Sequence, residues 1–183
     1  ENTLGGVYIV RDPRNVLDSV SRHYQIDHVN ALKLMQDEKS FTYDFKKKND
    51  YSDYQFISSW QKNYQSWKYN KLIPVKFIRY EDLMKETFIV FKEIVEFIDK
   101  ITNNRKGFSR EKAKNAVQST SFQNLKKIEI EKGFSESIIA RIDNKKIPFF
   151  HLGPNNRWQK NFEEEFIKEL NNIFGKDLEE LNY

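Results

Sequence analysis

The first apolar run is Val7-Tyr8-Ile9-Val10, set between Gly5-Gly6 and Arg11-Asp12-Pro13. A short, partly β-branched apolar run between turn residues predicts a buried strand. Asp12 is a good N-cap and Pro13 suits a first helical position. A helix is therefore expected from about Pro13 to Tyr24, with Val16, Leu17 and Val20 turned inward. Between His28 and Asn49, Leu32, Leu34 and Met35 precede Lys46-Lys47-Lys48, which predicts a short helix and a basic loop. Phe56, Trp60, Tyr64 and Trp67 recur at helical spacing, so an amphipathic helix is expected over Tyr51 to Asn70, ended by Leu72-Ile73-Pro74. Val75-Lys76-Phe77-Ile78 predicts a second strand and Arg79-Tyr80-Glu81-Asp82-Leu83 a loop. A long helix is expected from about Met84 to Ile101, with Phe88, Phe91, Val95 and Ile98 on one face. Ser109 is placed to cap a helix through Val117, and Ser119-Thr120-Ser121-Phe122 to open a short turn or helix. A last helix is expected from about Asn161 to Phe174.

Strand, turn and helix in succession form the building block of a parallel α/β sheet. Both predicted strands read as buried, and two parallel strands cannot cover their own edges and faces. The expected fold class is α/β: a parallel sheet flanked by helices, present as an incomplete C-terminal part rich in helix. The expected domain organisation is one domain portion over residues 1–183.

Composition narrows the classes. Aromatic residues make up 15% of the chain, which argues against disorder. The net charge of +4 suits an anionic ligand without demanding nucleic acid. The chain has no cysteine, which excludes disulfide scaffolds, thiolate metal sites and cysteine nucleophiles. No apolar run approaches the ~20 residues of a membrane helix, and no signal pattern opens the chain. The expectation is a cytoplasmic protein with no membrane span and no nucleic-acid partner.

Several chemistries have no motif here. There is no G-x-x-x-x-G-K-[ST] loop, no G-x-G-x-x-G fingerprint and no G-x-S-x-G elbow. His23, His28 and His151 are scattered without metal-ligand spacing, so no metal is expected. Acidic residues sit on predicted helix faces and read as solvated surface. No catalytic residue emerges.

Four segments carry candidate chemistry. Arg11 follows the first strand and precedes a capped helix, and ligands of open α/β sheets bind beyond the C-terminal strand ends. A guanidinium fork binds phosphate, helix N-termini favour anions, Arg14 adds charge, and Ser19 offers a hydroxyl. The plainer reading pairs Arg11 with Asp12 or a carbonyl. Tyr80 follows the second strand and should reach the same edge, with Glu81 or Asp82 starting a helix. Thr120 and Phe122 place a hydroxyl beside an aromatic ring, suited to a purine or simply to a helix start and a core ring. Phe149-Phe150-His151-Leu152-Gly153-Pro154-Asn155-Asn156-Arg157-Trp158 is turn-rich, and Gly153 allows close backbone approach to a ligand. Its plainer reading is a surface loop anchored by Phe150 and Trp158.

In this order, the segments resemble the C-terminal two-thirds of a sulfotransferase using 3′-phosphoadenosine 5′-phosphosulfate (PAPS). Tyr8-Ile9-Val10-Arg11-Asp12-Pro13-Arg14-Asn15-Val16 through Ser19 resembles the family's 3′-phosphate motif, an Arg and then a Ser eight residues later. Ser58-Ser59-Trp60 through Trp67 resembles its paired-tryptophan helix, and Ile78-Arg79-Tyr80-Glu81-Asp82-Leu83 its tyrosine loop. Thr120-Ser121-Phe122 resembles the adenine-binding stretch, and Phe150-His151-Leu152-Gly153 through Trp158 the late glycine loop. The resemblance implies a P-loop-type sheet and PAPS as co-substrate. It gives Arg11 and Ser19 to the 3′-phosphate, Tyr80, Thr120 and Phe122 to adenine, and the backbone of His151, Leu152 and Gly153 to closure on the 3′-phosphate side. It further implies transfer of a sulfuryl group to a hydroxyl or amine of an unidentified acceptor. The family's 5′-phosphosulfate loop and catalytic histidine lie upstream of the matching strand, so this chain alone is expected to be inactive. The family's Arg-Lys-Gly is His151-Leu152-Gly153 here, and its lysine after the late tryptophan is Gln159. The alternatives from the residues alone are a P-loop kinase-like phosphotransferase and a non-catalytic polyanion-binding module resting on Lys46-Lys47-Lys48.

Overall fold

The computed structural model describes residues 3–43, 53–104, 107–141 and 143–183. In chain order the elements are β1 (Gly6–Val10), α1 (Pro13–Tyr24), α2 (His28–Gln36), β2 (Phe41–Thr42), β3 (Gln55–Phe56), α3 (Trp60–Lys68), β4 (Val75–Arg79), α4 (Tyr80–Lys85), α5 (Thr87–Ile101), α6 (Arg110–Ser119), α7 (Phe122–Lys132), β5 (Ile138–Ile139), β6 (Lys146–Ile147), 3₁₀ turns Gly153–Asn155 and Trp158–Lys160, and α8 (Glu164–Glu180). They fall into two compact units, one of residues 1–11 and 72–160, the other of residues 12–71 and 161–183. Among the described residues no helix is long and apolar enough to cross a membrane. The lysine run 46–48 lies outside the described residues.

The first unit is built on the expected parallel pair. β1 and β4 run in register from Gly6 opposite Val75 to Val10 opposite Arg79. Tyr8 stacks on Phe77 across the pair, with ring centroids 5.4 Å apart. Val10 and Ile78 are buried, whereas Val7 and Ile9 of β1 are exposed. β4 passes directly into α4, so Arg79–Leu83 is not the expected loop. Glu81 and Asp82 lie in the first turn of α4, where carboxylates favour the positive helix end. Glu86, at φ −129° and ψ 47°, then breaks the helix, and α5 starts at Thr87 rather than Met84. Val90 is the buried residue of α5, while Ile98, expected inward, is exposed. Ser109 caps α6 and Ser121 caps α7, accepting from Lys112 N and Asn124 N. The antiparallel pair β5–β6 follows α7.

The second unit is a helical cluster. Leu17 of α1, Ala31, Leu32 and Met35 of α2, and Leu170, Phe174 and Leu178 of α8 form its core, with Trp60 packed against them. α1 has the bounds the sequence predicts. α3 is half the expected length, because Phe56 pairs with Phe41 in a short antiparallel ladder instead of joining the helix. Ser58, at φ 61°, turns the chain between the two, and Ile57 N and Ser58 N both donate to Ser40 O at 2.9 Å. Phe56 is consequently exposed rather than core. α8 runs to Glu180, a turn and a half beyond the expected end at Phe174. That extra length carries a polar lock. Fully buried Tyr64 donates to Asp177 Oδ1 at 2.6 Å. Gln61 donates to both Asp177 oxygens at 2.8 and 3.0 Å. Lys68 Nζ lies 2.6 Å from Glu180 Oε1, and the Tyr69 hydroxyl donates to the same oxygen at 2.5 Å. Buried polar groups are tolerated when partnered in this way.

Candidate functional site

Parallel pairing puts the residues after both strands at one edge, since Val10 sits opposite Arg79. Arg11 and Tyr80 are those residues. The Arg11 guanidinium carbon lies 4.3 Å from the Tyr80 ring centroid, a cation–π contact. Its Nη2 donates to the Gly153 carbonyl at 3.1 Å. Its Nε is buried and has no hydrogen-bond partner among the described residues. A buried N–H without a partner is uncommon; here it belongs to a cation whose other contacts hold it at a strand end.

Gly153 is required where it stands. Its φ is +52°, and a Cβ added to it would collide with the Phe122 ring, with Cζ at 2.8 Å. Phe122 is the first residue of α7, and its ring meets Phe150 edge-on with centroids 6.3 Å apart. Four of the sequence-predicted residues, Arg11, Tyr80, Phe122 and Gly153, thus form one contact cluster within the first unit. Leu152 caps the 3₁₀ turn opened by Gly153, and both Leu152 and His151 are half-buried. His151 N donates to Phe149 O at 3.0 Å. Thr120 is exposed at the end of α6, two residues before Phe122, and its hydroxyl donates back to Ala116 O at 2.8 Å. Ser19 belongs to the second unit, where it is exposed on α1 and donates to Asn15 O at 3.2 Å.

Charge is distributed differently from the sequence expectation. The plainer reading of Arg11, a bond to a backbone carbonyl, is met at Gly153, and Asp12 engages Arg14. It accepts Arg14 N at 2.9 Å as helix cap and grips the Arg14 side chain through Nε at 2.9 Å and Nη2 at 2.8 Å. Arg14 is itself buried, with Nη1 donating to Asn171 at 2.9 Å. The Arg14 charge is therefore already paired. Burial pushes the Tyr8 phenol up to about 12, so the ring stacked on Phe77 stays neutral. Among the described residues no group of side chains is arranged to hold a metal ion.

One residue escaped the sequence reading. Glu129, on α7, is 3% exposed. It accepts the Ser137 hydroxyl, Phe149 N at 2.6 Å and Phe150 N at 2.9 Å. Burial raises its pKa, but these three donors and nearby Lys146 outweigh burial and hold it below the usual carboxylate value. A glutamate on a charged helix looks solvated in sequence, and only its spacing from Phe122 along one helix face hinted otherwise.

The sulfotransferase domain family matches residues 3–182. No curated protein matches the chain by sequence. Among solved structures, the chain is similar to mouse sulfotransferase SULT7A1 complexed with PAP, at 17% identity and TM-score 0.60, covering 94% of this chain and 58% of that one. It is also similar to retinol dehydratase in a complex with retinol and PAP, at 18% identity and TM-score 0.59, covering 94% of this chain and 47% of that one. A further structure of retinol dehydratase, with androsterone and inactive cofactor PAP, gives 19% identity, TM-score 0.60 and coverage of 94% and 46%. The chain thus spans about half the length of these proteins. At such identities the likeness is one of fold, and it agrees with the α/β class expected from the strand pattern.

Proposed function

The chain belongs to the sulfotransferase domain family, and on that premise we propose that it is the nucleotide-holding portion of a PAPS-dependent sulfotransferase. The observation that carries this reading is Arg11, pinned between the Tyr80 ring and the Gly153 carbonyl with its Nε unpartnered at a parallel strand end. A buried guanidinium N–H in this position fits a phosphate oxygen, which accepts charge-assisted hydrogen bonds from arginine. PAP in the three similar structures supports a nucleotide of the same class here.

In this reading Arg11 binds the 3′-phosphate, a role the family resemblance gives also to Ser19. Tyr80, Thr120 and Phe122 hold the adenine. His151, Leu152 and Gly153 close on the 3′-phosphate side through backbone groups, their side chains lacking the cation of the family pattern. When bound, PAPS supplies a sulfuryl group for transfer to a hydroxyl or amine acceptor. This chain's residues bind and orient the nucleotide, and no base is assigned among them.

The test is a thermal-shift titration with 3′,5′-ADP against ADP. A ligand at one hundred times its Kd stabilises a native state by about 2.7 kcal/mol. The expected result is a shift with 3′,5′-ADP at concentrations where ADP gives none. Equal shifts with both nucleotides overturn the reading and favour a kinase-like phosphotransferase.

A further inference from the structure

Glu129 lies seven residues after Phe122, so both share one face of α7. Its buried carboxylate receives two consecutive backbone N–H groups, Phe149 at 2.6 Å and Phe150 at 2.9 Å, and the Ser137 hydroxyl. Those amides immediately precede His151-Leu152-Gly153. The Phe150 ring is fixed in turn by Phe122, Phe134 and Phe149, with centroids 6.3, 5.2 and 5.2 Å away. Gly153 then presses its Cα on Phe122 and gives its carbonyl to Arg11. A continuous run of contacts leads from the Glu129 carboxylate to the Arg11 guanidinium.

We propose that Glu129 is a positioning residue that seats the 149–153 segment on α7 and thereby sets the preference for a nucleotide bearing a 3′-phosphate. The inference rests on the functional reading above. Its reasoning comes from this chain's own composition. The 151–153 stretch carries no lysine or arginine, so it meets an anion through backbone N–H groups and the short His151 side chain, and these act only where the backbone is held. One acceptor satisfying two successive amides fixes the direction of the chain into the turn. A solvated glutamate would not be buried with all three donors aimed at it. Burial is outweighed by the three donors, with the charge of nearby Lys146 behind them, and the carboxylate is held below its ordinary pKa.

The experiment is calorimetric titration of the full chain with 3′,5′-ADP and with 5′-AMP, for the unaltered protein, Glu129→Gln, Glu129→Asp and Ser137→Ala. Glutamine keeps the shape but turns an amide NH₂ toward a backbone N–H, losing one charge-assisted bond. We expect it to lower 3′,5′-ADP affinity about tenfold while 5′-AMP affinity changes less than about twofold. Aspartate and the Ser137 variant should reduce the ratio of the two affinities by smaller factors, and they supply the answer should the glutamine variant fail to fold. An unchanged ratio, or a parallel fall for both nucleotides, overturns the inference and leaves Glu129 a structural residue only. If the unaltered chain does not separate the two nucleotides, the functional reading falls and the inference falls with it.

Discussion

Replacing Gly153 by alanine tests the geometry of the site in one step. Two separate penalties are expected. At φ +52° a Cβ lies close to the following carbonyl, which costs about 1–2 kcal/mol for a residue other than glycine. The same Cβ runs into the Phe122 ring. The ring meets Phe150 and belongs to the first turn of α7, so it yields at the cost of local repacking, about 1–3 kcal/mol. The sum is about 2–5 kcal/mol. Gly107 separates the two contributions: its φ is +72° and nothing lies within 4 Å of an added Cβ, so Gly107→Ala carries the backbone penalty of about 1–2 kcal/mol alone. Gly175→Ala is the opposite control. It lies within α8 with open space at its Cβ, so alanine there should stabilise by about 0.5–1 kcal/mol. Urea unfolding of the three variants gives the order, and titration with 3′,5′-ADP gives the functional part. Gly153→Ala should be the least stable and should lose nucleotide affinity, because moving its carbonyl removes an anchor of Arg11. If it is no less stable than Gly107→Ala and binds nucleotide unchanged, the packing of Gly153 on Phe122 is refuted.

The remaining predictions concern the polar groups. Tyr64→Phe removes the donor to buried Asp177 while Gln61 still satisfies the carboxylate, so a loss of about 1.5–3 kcal/mol is expected. Its melting temperature should drop by roughly 2–4 °C per kcal/mol, and an unshifted melt would contradict the lock between α3 and α8. Arg14→Ala breaks a buried ion pair and should cost about 3–5 kcal/mol of stability without altering the 3′,5′-ADP to 5′-AMP ratio; a changed ratio would reassign Arg14 to the ligand. Glu180, lowered by Lys68 and Tyr69, and Glu129, lowered against burial by its donors, both have folded pKa values below the ordinary 4.5. Their stabilisation is complete above the unfolded pKa and is lost as pH falls through the folded one. Glu180→Gln should therefore flatten the decline of stability in acid, and a decline as steep as in the unaltered chain would count against the ion pair.

What the sequence made legible was local and periodic. Asp12-Pro13 marks the start of α1, Ser109 marks α6, the run 119–122 opens α7, and the two apolar runs are the parallel pair. Each depends on a residue and its immediate neighbours. The failures depend on partners distant in sequence. Phe56 continues the helical spacing of Trp60, Tyr64 and Trp67, but pairing with Phe41 draws it into a ladder. α8 continues past Phe174 because Asp177 and Glu180 find Tyr64, Gln61 and Lys68, which no periodicity displays. In the site, Arg11 and Tyr80 were readable because parallel strands end at one edge. The contact of Gly153 with Phe122 and the burial of Glu129 were not, since both join segments more than fifteen residues apart. Arg14 was read as added charge for the ligand, but Asp12 captures it.

The central claim, that Arg11 holds a 3′-phosphate, is tested most directly by calorimetry on the unaltered chain and Arg11→Ala with 3′,5′-ADP and 5′-AMP. The account predicts that the unaltered chain prefers 3′,5′-ADP. It further predicts that the variant loses about 10- to 100-fold of that affinity, the value of a charge-assisted hydrogen bond at about 1.5–3 kcal/mol, with 5′-AMP affinity little changed. Equal affinities for the two nucleotides, or an Arg11→Ala variant that still prefers 3′,5′-ADP, would contradict it.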